Sequence, residues 1–155
     1  MKLTRRGLGF GLLGGVVLAC LGLPLTVYRP WADEDRFLLA AMDALFPHGG
    51  DLPDPAEIGA PAAVRAYLDR LPPSIALQAR GLFFAIETGT VASHGRSFSR
   101  LSREERTGIL ADWAGSNLTF RRLMVHALKQ TCAMGYWQHP STWAHLGYDG
   151  PLVSQ

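Results

Sequence analysis
The side chains able to do chemistry are few and scattered. The chain has five histidines: His48, His94, His126, His139 and His145. A metal site needs several such ligands converging from short, regular spacings. No two of these meet that need on one helix, and His139 and His145 stand in a stretch broken by proline and glycine. No Cys-x-x-Cys-His haem-attachment motif occurs. A histidine enzyme would have to rest on His126 or His139 with a nearby carboxylate, and no triad or metal spacing supports it. Glu104-Glu105 reads most simply as the start of a helix, where the dipole favours acids. No Gly-x-Gly-x-x-Gly follows a strand pattern, and no Gly-x-Ser-x-Gly elbow is present. No catalytic, cofactor-binding or metal-ligating residue is therefore assigned in this chain.

Cysteine chemistry leaves two alternatives open. Cys20 lies in an apolar leader, so Cys132 stands alone in the body. A lone cysteine outside the cytoplasm is either buried and inert or paired with another chain. Arg121-Arg122 and Lys129 form a basic stripe, either a solvated face or a salt-bridged docking surface. Tyr136, Trp137, Trp143 and Tyr148 crowd the C-terminal end. They either fold back over their own core or cover a partner, because such rings bury a large area and keep a polar handle. With Cys132, these four are the expected partner-contact residues.

The elements that hold these groups are helical, since nothing after residue 32 alternates like a strand for long. Asp33 to Phe46 carries Phe37, Leu38, Ala41, Leu45 and Phe46 on one stripe and stops at Pro47. Pro61 opens a second helix with Val64, Tyr67, Leu68 and Leu71, closed by Pro72-Pro73. A third runs from Ser74 to Ala92 with Ile75, Leu82, Phe83 and Ile86 inward. Ser102 to Glu105 has capping-box spacing before a fourth, which carries Ile109, Leu110 and Trp113. The fifth, Leu118 to Tyr136, turns Leu123, Met124, Ala127, Leu128 and Thr131 inward. Ser141 is placed to cap a short turn around Trp143. The expected architecture is all-α, an irregular bundle of about five helices behind one N-terminal signal or transmembrane helix. The segments are 1–28, a leader or anchor; 29–135, a helical domain; and 136–155, an aromatic tail.

The leader decides location. Lys2, Arg5 and Arg6 precede an uncharged run from Gly7 to Tyr28. As a helix at about 1.5 Å per residue it would span roughly 33 Å, near the thickness of a hydrocarbon core. The positive end stays in the cytoplasm, so the body lies outside. Thr4-Arg5-Arg6-Gly7-Leu8-Gly9 resembles a twin-arginine export motif, with Arg5 and Arg6 as the signal. Glycines dilute the run, which suits that route better than general secretion. Val17-Leu18-Ala19 offers a cleavage site, and with Cys20 it also resembles a lipoprotein box. Tyr28 and Trp31 sit where aromatics anchor a span, and retention as a single anchor is the first expectation. The leader also carries the basic excess. The full chain has a net charge of +2, and removing three leader cations leaves the body about one charge negative. That excludes the basic footprint of a nucleic-acid binder.

At the tail the chain resembles a known family. Tyr136-Trp137-Gln138-His139-Pro140 and Trp143-Ala144-His145-Leu146-Gly147-Tyr148-Asp149-Gly150-Pro151 are similar to the end of gluconate 2-dehydrogenase subunit 3 proteins. Phe37-Leu38 to Leu45-Phe46-Pro47 resembles the family's first helix and proline stop. Asp54 to Ala60 with Val64 and Leu68, and Phe98-Ser99-Arg100-Leu101 with Arg106, resemble later elements. Trp137, Gln138 and His139 depart from the commoner Tyr followed by Ser-Asp or Ser-Asn. The resemblance implies a non-catalytic small subunit, without a cofactor of its own. Its partner would be a large FAD subunit of the glucose–methanol–choline type, oxidising a sugar, sugar acid or other alcohol. A multihaem cytochrome c, carrying haem c, often takes the electrons. The small subunit would escort the folded FAD subunit through the twin-arginine translocase and hold it at the periplasmic face of the inner membrane. A membrane-anchored binding module of another exported complex is the alternative.

Overall fold
The computed structural model describes residues 33–46 and 52–150. The leader, with Arg5, Arg6 and the expected span, lies outside the described residues. Among the described residues no helix is long and apolar enough to cross a membrane, and all regular structure is helical. Five helices of ten or more residues are joined by one single-turn helix and short 3-10 turns.

The first helix, α1 (Glu34–Leu45), is the axis of the core. Glu34 and Asp35 occupy its first turn, where acids oppose the positive end of the helix dipole. Phe37, Leu38, Ala41 and Met42 are wholly buried. The helix stops at Phe46, whose backbone is extended (ψ 148°). Pro47 follows it, and a proline bars its predecessor from helical geometry. Phe37 lies 5.5 Å from Phe83 and 5.8 Å from Phe98, centroid to centroid. Rings in tilted contact at this range add to the apolar burial that holds such cores.

The second helix, α2 (Ala60–Asp69), starts behind Gly59, which sits at φ 65°, and holds Pro61 in its first turn. The third, α3 (Pro73–Gly89), begins on the second proline of the pair. It ends earlier than its apolar spacing suggests. It ends at Gly89, and Thr90, whose hydroxyl donates to the Arg96 carbonyl at 2.9 Å, joins it to a separate turn, α4 (Val91–His94). The inward stripe of α3 is also rotated. Ala76, Phe83, Ile86 and Glu87 are buried, whereas Ile75 is 46% exposed. The inner face also takes in a charged residue, Glu87. The Glu87 carboxylate accepts from Ser99 N at 2.8 Å and Ser99 Oγ at 2.6 Å, which offsets its desolvation.

The fifth helix, α5 (Arg103–Ala114), has the expected capping box: Ser102 Oγ accepts from Glu105 N at 3.2 Å, and Glu105 accepts from Ser102 N at 2.8 Å. The last, α6 (Thr119–Trp137), buries Met124, Val125, Leu128, Cys132, Gly135 and Tyr136. Leu123, expected inward, is 58% exposed. The helix is turned by its close approach to α2: a Cβ on Gly135 would overlap Val64 Cγ2 and stand 2.9 Å from the Ala60 carbonyl oxygen. Only glycine allows the backbones this near, so the inward face is centred on Gly135 and not on Leu123.

Candidate partner interface
The aromatic end of the molecule grows directly out of α6, which runs through Tyr136 and Trp137. Two 3-10 turns follow, Pro140–Thr142 and Ala144–Leu146. The first is capped by His139, whose Nδ1 accepts from Ser141 N at 3.3 Å. Ser141 was expected as the cap, and instead its hydroxyl joins the same Nδ1 at 2.7 Å. Thr142 is wholly buried and donates to the His139 carbonyl at 2.7 Å. Trp143 Nε1 donates to the Trp137 carbonyl at 3.1 Å, which ties the second turn to the end of the helix. Gly147 at φ 63° then reverses the chain. That brings Tyr148 edge-on against Trp143, with ring centroids 5.3 Å apart.

The five expected contact residues divide into two groups. Cys132 is 0% exposed and Tyr136 1%. Both are built into the chain's own core, which corrects their assignment as contacts: neither presents surface to another molecule. Burial pushes the Cys132 thiol up to about 12. A thiolate is the species that attacks a disulfide, so the thiol is held inert as well as hidden. Of the two alternatives for Cys132, this geometry fits the buried one. Tyr136 stacks on Phe46 with centroids 4.8 Å apart and donates its hydroxyl to the Pro53 carbonyl at 2.8 Å. Burial, and secondly the charge of Asp54, push its phenol above the ordinary range.

Trp137, Trp143 and Tyr148 form the second group. The two tryptophans are half-buried and Tyr148 is 44% exposed, with Leu146 beside it in sequence at 56%. The tail does fold back on its own body, and it still leaves aromatic and apolar surface outward. Large rings already fixed by internal contacts lose little side-chain freedom on binding, which suits them as anchors.

Among the described residues no histidine is drawn into a catalytic cluster. His126 is exposed on α6, and His139 serves the local turn. Among the described residues no group of three or more His, Cys, Asp or Glu could hold a metal ion. The described residues form no strand, so the strand–turn–helix cradle of a dinucleotide site has no counterpart in them.

Sequence reasoning missed the outer face of α6. Leu118, Phe120, Leu123 and Met134 are all exposed there. The last three recur at helical spacing with the half-buried Ala127 and Thr131 between them. The signal was present, since two apolar stripes on one helix imply two covered faces. The stripes overlap in sequence, so spacing alone does not separate them.

Among curated proteins and among solved structures nothing matches the chain. The family model described as gluconate 2-dehydrogenase subunit 3 matches residues 32–150, from the threshold of α1 to the end of the aromatic tail. That match takes in every helix and turn described above, and the chain belongs to the gluconate 2-dehydrogenase subunit 3 family.

Proposed function
We propose that this chain is the non-catalytic small subunit of a periplasmic, membrane-bound flavoprotein dehydrogenase. Its work is to escort a folded FAD subunit of the glucose–methanol–choline type through twin-arginine export, and then to stabilise or anchor it. The observation that carries this reading is the family match over the whole described body. FAD belongs to the large subunit in this reading, and haem c to a cytochrome that accepts its electrons. Arg5 and Arg6 supply the export signal for both proteins. Trp137, Trp143 and Tyr148 supply contacts, with the rings held in place by the Trp143–Trp137 hydrogen bond.

The test is the location of the flavoprotein. With Arg5→Lys and Arg6→Lys together, the FAD subunit is expected to stay in the cytoplasm, folded and flavin-loaded. A flavoprotein that still reaches the periplasm without a functional leader on this chain would end the escort reading. Trp143→Ala is expected to loosen the complex by about 2 kcal/mol, the usual scale for an aromatic anchor. Unfolding of the chain in its place would make Trp143 a core residue.

A further inference from the structure
The outer face of α6 carries a surface that the tail does not explain. Beside the exposed apolar stripe lies an open groove of about 500 Å³. Ala114, Leu123 and Val125 give it an apolar floor, and Arg122, His126 and Lys129 line it with basic side chains. No acid lies in α6 at all. Among the described residues neither Arg122 nor Lys129 meets a carboxylate. Arg122 donates instead to the Ser116 carbonyl at 2.5 Å and to Thr119 Oγ1 at 3.1 Å. Neighbouring Arg121 lies over the Trp113 ring, 5.6 Å from its centroid.

Elsewhere among the described residues most arginines meet a carboxylate of the chain, Arg70 and Arg100 excepted. Arg36 meets Asp33, Arg65 meets Asp35, Arg80 meets Glu34 and Asp69, and Arg106 meets Asp43. The body as a whole is close to neutral, so the positive character of this groove is local and not a general surface charge. Complementarity then asks for negative charge on what covers it. Its lining narrows the choice further: an open groove that sets apolar side chains beside two cations matches a segment carrying both an apolar side chain and carboxylates.

We propose that this groove seats a protruding acidic segment of a partner protein, with an apolar side chain on the Leu123 floor and carboxylates on Arg122 and Lys129. The partner is the large flavoprotein subunit, so the inference rests on the function proposed above and adds a second, electrostatic contact to the aromatic one.

The experiment uses the complex as purified from cells through a tag on the full chain, reading flavin absorbance per chain. Arg122→Glu with Lys129→Glu should lower retained flavin about tenfold or more, because a like charge now faces the partner's acid. Leu123→Ser should lower it in the same direction. Rising salt should release flavoprotein from the wild type and have little further effect on Arg122→Gln with Lys129→Gln, which also serves if the reversed variant fails to accumulate. Unchanged flavin in both charge variants overturns this inference and leaves the accessory function standing. So does a loss of binding to phosphatidylglycerol vesicles with flavoprotein retained, since the face would then belong to the membrane. A wild-type chain that retains no flavin removes both readings.

Discussion

α1 and α6 are the two helices most deeply engaged in the core, and they treat their outer surfaces in opposite ways. At α1 every charge of the first turn and of the last is met within the chain: Asp35 by Arg65, Glu34 by Arg80, and Asp43 by Arg106 and Arg103. The acids come from one helix and the guanidinium groups from α2, α3 and α5, so these pairs fasten the bundle to its axis. At α6 the inner face is packed as tightly, down to the Gly135 contact. Its outer face leaves apolar side chains and cations to solvent. The half-exposed Asp35–Arg65 pair contributes little, and the buried Glu34–Arg80 pair must first offset its own desolvation, so α1 gains mainly in specificity from its closure. What α6 forgoes is modest in stability and large in availability. The difference teaches that one side of this bundle is closed by its own charges and the other is left open.

The comparison breaks first at the core of the closed side. Phe37→Ala removes the ring that joins Phe83 and Phe98, and is expected to cost about 3–5 kcal/mol. Urea unfolding of the purified chain would read it. Next is the tight side of α6. Gly135→Ala forces a Cβ against Val64 and the Ala60 carbonyl, at about 1–3 kcal/mol, with a matching fall in melting temperature. If it proves neutral, α2 and α6 are not as close as described. Tyr136→Phe deletes the hydrogen bond to Pro53 and keeps the ring stack, for about 1 kcal/mol.

A pH test sharpens the contrast at Glu34. Burial raises its carboxyl above the ordinary value of 4.5, against the opposing pull of Arg80. The folded chain therefore holds that proton more tightly than the unfolded one. The resulting stability is complete below the ordinary value and declines as pH rises through the folded value. Glu34→Gln should flatten that decline in unfolding midpoints taken between about pH 4 and 7. A slope identical to wild type would place the titration elsewhere. The smallest effect belongs to the open side: Lys129→Ala should leave the stability of the isolated chain within about 0.5 kcal/mol. A larger loss would mean that α6 is closed after all.

Much of the closed side was legible in the residues themselves. The stripe of α1 and its stop before Pro47 follow from spacing and from proline's demand on its predecessor. Ser102 and Glu105 announce the α5 cap. What escaped was decided between elements. The burial of Glu87 on the inner face of α3 is met by donors from Ser99, twelve residues further along the chain. The rotation of α6 depends on a glycine contact with α2 that no single helix encodes. For the same reason Cys132 and Tyr136 passed for surface. Trp137, Trp143 and Tyr148 were recognisable as a group, and the hydrogen bond that fixes Trp143 was not, since it uses a backbone carbonyl any residue would supply.

Cys132 gives the molecule a use its sequence does not advertise. Its sulfur is sealed at the α6 core and its thiol is pushed up to about 12. A thiol reagent at neutral pH therefore reaches Cys132 only in those molecules whose bundle has come apart. Each copy carries an internal gauge of its own opening, readable by the mass added to the peptide that holds Cys132. Comparing that labelling rate for the chain alone and in its complex would measure directly how far a partner holds the bundle shut.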